Sequence, residues 1–193
     1  GSGFPGEQKG FLLDRRRWSP IMIATLSFGY GVSATPLQIA RAYGAVADQG
    51  LLLPVTFDPN DPKVIGNKVV SKKVASQTLQ MLESVVSKEG TGYLAKVPGY
   101  HVAGKTGTAK IAKPGGYSHQ HIATFVSIAP ATNPQLVVLV VVHKPHGSLY
   151  YAAYLAAPAA QKIMAGALQL LNIAPDDIES YKKKDGKRWV APV

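Results

Sequence analysis

A chain of 193 residues with 46% hydrophobic content is long enough to bury one core and has the composition of an ordinary globular domain, or a large piece of one. Its 21 Lys and Arg against 11 Asp and Glu give a formal charge of +10, which favours anionic partners; no aromatic RNA-binding motif, zinc-finger spacing or basic helix accompanies that charge, so nucleic acid is not the expected one. The lack of cysteine removes disulfides, thiolate metal sites and cysteine nucleophiles, and the most apolar run, residues 136–142, is far shorter than the roughly 20 residues of a membrane-crossing helix.

Gly1-Ser2-Gly3 carries neither a basic nor an apolar signal region and reads as a cloning remnant or truncation point. Residues 1–20 mix Gly, Pro and charge without a period, which predicts loop with short extended pieces. Thr35-Pro36 reads as an N-cap followed by proline at the first helical position, and Leu37, Ala40, Tyr43 and Ala47 recur at helical spacing toward Gly50. Residues 51–67 hold three prolines and Asn60-Asp61, and predict a connector with short strands near Leu52 and Val69. Ser71 caps a second predicted helix with the apolar stripe Val74, Leu79, Leu82, Val85 and Val86, which Gly90-Thr91-Gly92 ends.

The β half follows. Residues 101–112, 122–129 and 135–143 are strand-like and closely linked, and predict a three-stranded antiparallel meander. The link Lys113-Pro114-Gly115-Gly116 reads as a mobile flap. After Pro158, Ile163, Met164, Ala167, Leu168 and Leu171 predict a final amphipathic helix that Asn172 terminates. From Pro175 the chain is polar and lysine-rich, and is expected to be poorly ordered or laid on the surface. The expected division is therefore a domain portion over 1–176 and a basic tail over 177–193.

Chemistry concentrates in Ala103-Gly104-Lys105-Thr106-Gly107-Thr108-Ala109. On a strand, Lys105 points one way while Thr106 and Thr108 share the opposite face, where two hydroxyls can hold a carboxylate. Gly107 removes the side chain where a substrate backbone would lie close, and leaves amides free to meet a developing oxyanion. An extended peptide would then add as an extra strand. The same stretch also matches the phosphate-loop pattern, from Gly99 through Gly104-Lys105-Thr106, but that loop needs a helix immediately after it, and Lys113-Pro114-Gly115-Gly116 cannot open one. His119 and His121 alternate and His143 and His146 lie three apart, yet no carboxylate accompanies them at ligand spacing, so they read as surface or loop histidines and no metal or other cofactor is expected. The basic runs at Arg15 to Arg17 and Lys182 to Lys184 read as solvated faces, with contact to anionic wall polymer or lipid head groups as the lesser alternative.

Several segments together carry a family resemblance: Phe4-Pro5-Gly6-Glu7, Ser27-Phe28-Gly29-Tyr30-Gly31 leading into Thr35-Pro36-Leu37-Gln38, the Gly104 to Ala109 segment, Ala129-Pro130-Ala131, and Ala157-Pro158 through to Asn172-Ile173-Ala174-Pro175-Asp176. In combination they resemble class B penicillin-binding proteins, particularly the division-type D,D-transpeptidases. The resemblance implies an α/β (α+β) fold of the serine β-lactamase-like type, an antiparallel sheet flanked by helices, of which this chain would be the C-terminal portion. It implies peptidoglycan cross-linking: a serine of an SxxK motif attacks the D-Ala-D-Ala carbonyl of a stem peptide, and an amine resolves the acyl-enzyme.

Carried over, Lys105 and Thr108 are the catalytic candidates, with the Thr108 N–H forming half of the oxyanion hole. Thr106, Gly107 and Thr108 bind the donor or β-lactam carboxylate, and Tyr150 and Tyr151 wall a side-chain pocket. Plain packing is the competing reading of the two tyrosines. The implied partners are the peptidoglycan stem peptide, β-lactams, the missing N-terminal half of the domain and division proteins, at the periplasmic face of a bacterial inner membrane.

The sequence departs from the family pattern in two places. Its one SxxK, Ser180-Tyr181-Lys182-Lys183, follows the KTG segment instead of preceding it, and no SxN exists, since none of Asn60, Asn67, Asn133 and Asn172 has serine two places before it. The nucleophile is thus expected on an upstream half, and this chain alone is expected to be inactive. Two alternatives stand beside the transpeptidase: a penicillin-recognising serine hydrolase, and a non-catalytic module that captures peptide carboxylates.

Overall fold

Hydroxyl caps set where the first three α-helices begin, and two of these carry proline in the first turn. In the computed structural model, which describes residues 3–58 and 65–182, the order is strand β1 (Phe11–Leu12), helix α1 (Pro20–Leu26), β2 (Val32–Ser33), α2 (Pro36–Ala47), β3 (Leu51–Leu52), β4 (Asn67–Lys68), α3 (Lys72–Ser84), β5 (Ala103–Lys113), β6 (Gly116–Ala129), β7 (Leu136–His143), α4 (Ala156–Leu170) and the short α5 (Ile178–Lys182). At α2 the Thr35 hydroxyl accepts from the Gln38 N–H at 3.2 Å, and the Gln38 side-chain oxygen accepts from the Thr35 N–H at 2.8 Å. This reciprocal capping box satisfies two of the orphaned amides at the helix start. Ser71 accepts from the Val74 N–H at the start of α3 in the same way.

The three long strands pair in the order β5-β6-β7, antiparallel throughout. Alternation along β6 sorts the core into two layers. Ala123, Phe125 and Ala129 face α4, whose Ala156, Ala160, Met164 and Leu168 are fully buried at spacings of four. Ile128, on the other face, packs with Ala103 and with Leu79 and Leu82 of α3 and Tyr43 and Val46 of α2. The sheet is thus covered by α4 on one side and by α2 and α3 on the other. Burial raises the Tyr43 phenol above its usual range.

Four features differ from the sequence expectations. The 113–116 link is no flap: Lys113 pairs with Gly116, so the strands continue to a two-residue turn, with Gly115 at φ +79°. Strand β5 begins at Ala103 and β6 already at Gly116. Helix α4 starts at Ala156, ahead of Pro158, and leaves Ile163 and Leu171 largely exposed, so its buried stripe runs through Met164 and Leu168. Helix α1, absent from the sequence reading, is capped by Ser19 and Pro20 and buries none of its residues; Ile21 is 75% exposed.

The 175–180 stretch, expected to be loosely laid, is fastened down. Asp176 accepts from the His101 N–H at 2.8 Å and from the Thr132 hydroxyl at 2.6 Å, Asp177 N–H donates to the Gly99 carbonyl at 2.9 Å, and the Tyr100 hydroxyl donates to the Ile173 carbonyl at 2.6 Å. The Asp176 carboxylate joins the approach to β5 with the loop after β6. Asp176→Ala is expected to cost about 2 kcal/mol, the range for hydrogen bonds to a charged group; urea unfolding checks it, and a cost near zero would mean water replaces the carboxylate. Asn60-Asp61 and residues 183–193, with Lys183 and Lys184, lie outside the described residues.

Candidate active site

Strand β5 is the outer strand of its sheet, with no strand on its free edge among the described residues. Its register sets Lys105 opposite Val126, Thr106 opposite Phe125, Gly107 opposite Thr124 and Thr108 opposite Ala123. Thr106 and Thr108 therefore share the α4 face and Lys105 the other. The P-loop reading fails here, because residues 103–113 are strand and no helix opens directly after Thr106.

Which way the backbone points can be read from one contact. The Thr124 hydroxyl donates to the Gly107 carbonyl at 3.2 Å, so that carbonyl faces β6. Backbone groups of successive strand residues alternate sides, so the N–H and C=O of Thr106 and Thr108 point out of the free edge. The Lys105 ammonium lies there too, donating to the Thr106 carbonyl at 2.9 Å. Gly107 also has a reason internal to the sheet: a Cβ there would sit 2.5 Å from the Thr124 hydroxyl oxygen. Gly104 is more confined still, since its Cβ would meet the Phe125 ring at 2.6 Å and the Val126 carbonyl at 2.7 Å.

The Thr108 hydroxyl keeps a proton to give, and the Thr106 hydroxyl shares a hydrogen bond with a neighbour. The Thr108 hydroxyl accepts from the Ala152 N–H at 3.1 Å, which occupies a lone pair and leaves its hydrogen free. The Thr106 hydroxyl lies 3.1 Å from that of Thr91, and either can be the donor. Ala152 also links the strand to the neighbouring tyrosines. Tyr150 and Tyr151 stack at 4.5 Å, and His121, on β6, stacks on Tyr150 at 4.1 Å. The hydrogen bond from Tyr150 to Tyr151 raises the Tyr150 phenol above its usual range. At the hairpin, Tyr117 meets Tyr30 edge-on at 5.1 Å.

The sequence reading named Lys105, Thr106, Gly107, Thr108, Tyr150 and Tyr151; the structure sets the first four consecutively on β5, and the Ala152 N–H ties the loop that carries the two tyrosines to Thr108. It missed Thr91, His121 and the Ala152 amide. It also missed a signal in the charges: residues 90–175 contain no Asp or Glu but six lysines, a local excess of positive charge in the segment that includes β5. Ser180, the misplaced SxxK serine, has its hydroxyl engaged with the Gly99 N–H and the Asp177 carbonyl. A groove of about 370 Å³ lies elsewhere, lined in part by Glu83, Lys96, His101 and Asp177, and residues 105–108 take no part in it. There His101 bonds Glu83 at 2.7 Å. Among the described residues no helix is long and apolar enough to cross a membrane.

Comparison with known proteins accounts for this arrangement. A family model described as the penicillin binding protein transpeptidase domain matches residues 1–165. The chain is 43% identical over 175 residues to a probable peptidoglycan D,D-transpeptidase PenA of Neisseria meningitidis, covering 90% of this chain and 30% of the relative. It is 38% identical to the peptidoglycan D,D-transpeptidase FtsI of Escherichia coli K12, covering 95% of this chain and 31% of that one. Among solved structures, the apo transpeptidase domain of Burkholderia pseudomallei penicillin-binding protein 3 superposes with a TM-score of 0.84 at 42% identity, over 91% of this chain and 54% of that chain. The chain thus spans about a third of the length of these curated relatives and about half of the solved domain. With an antiparallel sheet between helices, a KTG strand at its free edge and a family match over most of its length, the chain belongs to the penicillin-binding protein transpeptidase domain family.

Proposed function

We propose that this chain is the C-terminal portion of a peptidoglycan D,D-transpeptidase domain and supplies its donor-binding strand. One observation supports this above the others: the edge of β5 offers the Thr106 and Thr108 backbone groups, two hydroxyls able to donate and an ammonium, all within four residues. A D-Ala-D-Ala stem peptide lies along that edge with its terminal carboxylate on the Thr106 and Thr108 hydroxyls. Lys105 adds charge beside that carboxylate and beside the nucleophile.

The nucleophile is a serine of an upstream half. Its oxygen bonds to the scissile carbonyl carbon as its proton passes to a base, the Thr108 N–H stabilises the oxyanion, and the C–N bond then breaks with the proton leaving on D-alanine. An amine from a second stem peptide resolves the ester by the reverse steps. β-Lactams enter by the same carboxylate contacts, with Tyr150 and Tyr151 against their side chains. The reading places the protein at the periplasmic face of the inner membrane, among division proteins.

The test uses an assembled domain: this chain joined to, or co-expressed with, the upstream half of the Burkholderia pseudomallei domain it resembles. A fluorescent penicillin is expected to label the assembled domain stoichiometrically and to leave this chain alone unlabelled. Covalent labelling of the isolated chain would refute the division of labour. Reversible binding of acyl-D-Ala-D-Ala by a folded assembled domain that never acylates would favour the carboxylate-capturing module instead.

A further inference from the structure

Thr91 lies outside the KTG segment, yet its hydroxyl is 3.1 Å from that of Thr106. The loop that brings it there is tightly built. A Cβ on Gly90 would collide with the Val85 carbonyl at 2.0 Å, and one on Gly92 would sit 2.9 Å from the Phe125 ring. Gly92 N–H donates to the same Val85 carbonyl at 2.8 Å. Phe125 is in turn the residue opposite Thr106 in the sheet. Only glycine fits on either side of Thr91, and the threonine between them is held against the strand.

We propose that Thr91 is a positioning residue that sets the direction of the Thr106 hydroxyl proton. A hydroxyl has one proton and two lone pairs, and an ionised carboxylate only accepts. When a ligand carboxylate meets Thr106, Thr106 donates to it, and the Thr91 contact persists only with Thr91 as donor. The result is a chain from Thr91 through Thr106 to the carboxylate, in which each bond polarises the next. Without Thr91, the Thr106 proton loses the neighbour that orients it. The inference rests on the transpeptidase reading above and deepens it, because it concerns the same carboxylate.

The experiment measures acylation of the assembled domain by a penicillin and by the methyl ester of that penicillin, for the parent, Thr91→Val and Thr91→Ser. The expected result is a roughly tenfold loss with the free acid for Thr91→Val, the upper end for one hydrogen bond between neutral groups, little change with the ester, and recovery in Thr91→Ser. In a Thr106→Val background, Thr91→Val should add nothing further. Equal losses for acid and ester would show a purely structural role and overturn the inference, as would an unchanged rate with the acid; in both cases the parent still labels and the transpeptidase reading stands. A folded parent that labels with neither compound overturns both.

Discussion

Lys105→Met in the assembled domain is expected to lower the rate of penicillin acylation by roughly 100-fold while leaving the unfolding midpoint in place. The size follows from Coulomb's law: a charge 4 Å from a carboxylate is worth about 1 kcal/mol in water and about 4 kcal/mol at an effective dielectric of 20. A substrate lying along the β5 edge excludes part of the solvent, so the effect falls between these limits, and each 1.4 kcal/mol or so is a factor of ten. Stability is expected to hold because the side chain is exposed on this chain and donates to the neighbouring Thr106 carbonyl, not to a group of the core. Lys105→Arg should recover part of the rate, since it restores charge with a different shape. If Lys105→Met acylated at the parent rate, the cation would be a bystander and the carboxylate would be held by the threonines alone. A loss of folding free energy as large as the loss of transition-state stabilisation would instead assign Lys105 to the fold.

Much of this architecture was written in local signals. Thr35-Pro36 and Gln38 formed the cap their spacing predicts, Ser71 capped α3, and the β-branched runs paired in chain order because short links leave neighbouring strands few alternatives. The failures have physical causes. Helix α1 buries nothing within the chain, so Pro20 to Leu26 shows no amphipathic period to read, and only Ser19-Pro20 marked its start. The 113–116 link looked like a flap because Pro and Gly announce a turn without saying that the strands run right up to it. The arm carries exposed residues on both faces, and an irregularity between Lys110 and Ala112 interrupts its alternation.

In the site, Lys105 to Thr108 were legible because they are consecutive. Thr91 and His121 were not, because their partners are fixed by tertiary packing: Thr91 reaches Thr106 from 15 residues away, and His121 of β6 stacks on Tyr150 of the loop after β7. The contacts of Asp176 were hidden for the same reason, since nothing near it in sequence announces His101 or Thr132 as its donors.

The second large effect is expected from Phe125→Ala, which should remove about 3–5 kcal/mol of stability, the range for deleting a fully buried aromatic ring. Phe125 is 0% exposed and stands on the face that α4 covers. Its ring fills the space that Gly92 and Gly104 leave open, as the 2.9 and 2.6 Å approaches of a Cβ at those positions indicate. The loop bearing Thr91 and the strand bearing Thr106 therefore close on opposite sides of one ring. Against a total of about 5–15 kcal/mol for a typical domain, the loss should lower the melting temperature by on the order of 10 °C. The cavity would also free the Gly90-Thr91-Gly92 loop, so the preference for a free carboxylate over its methyl ester should shrink even at temperatures where the domain remains folded. Phe125→Leu, which keeps most of the volume, should retain more of both properties. A cost below about 1 kcal/mol for Phe125→Ala would mean that the two glycines close over the gap, and that the ring is not what holds the Thr91 loop against the KTG strand.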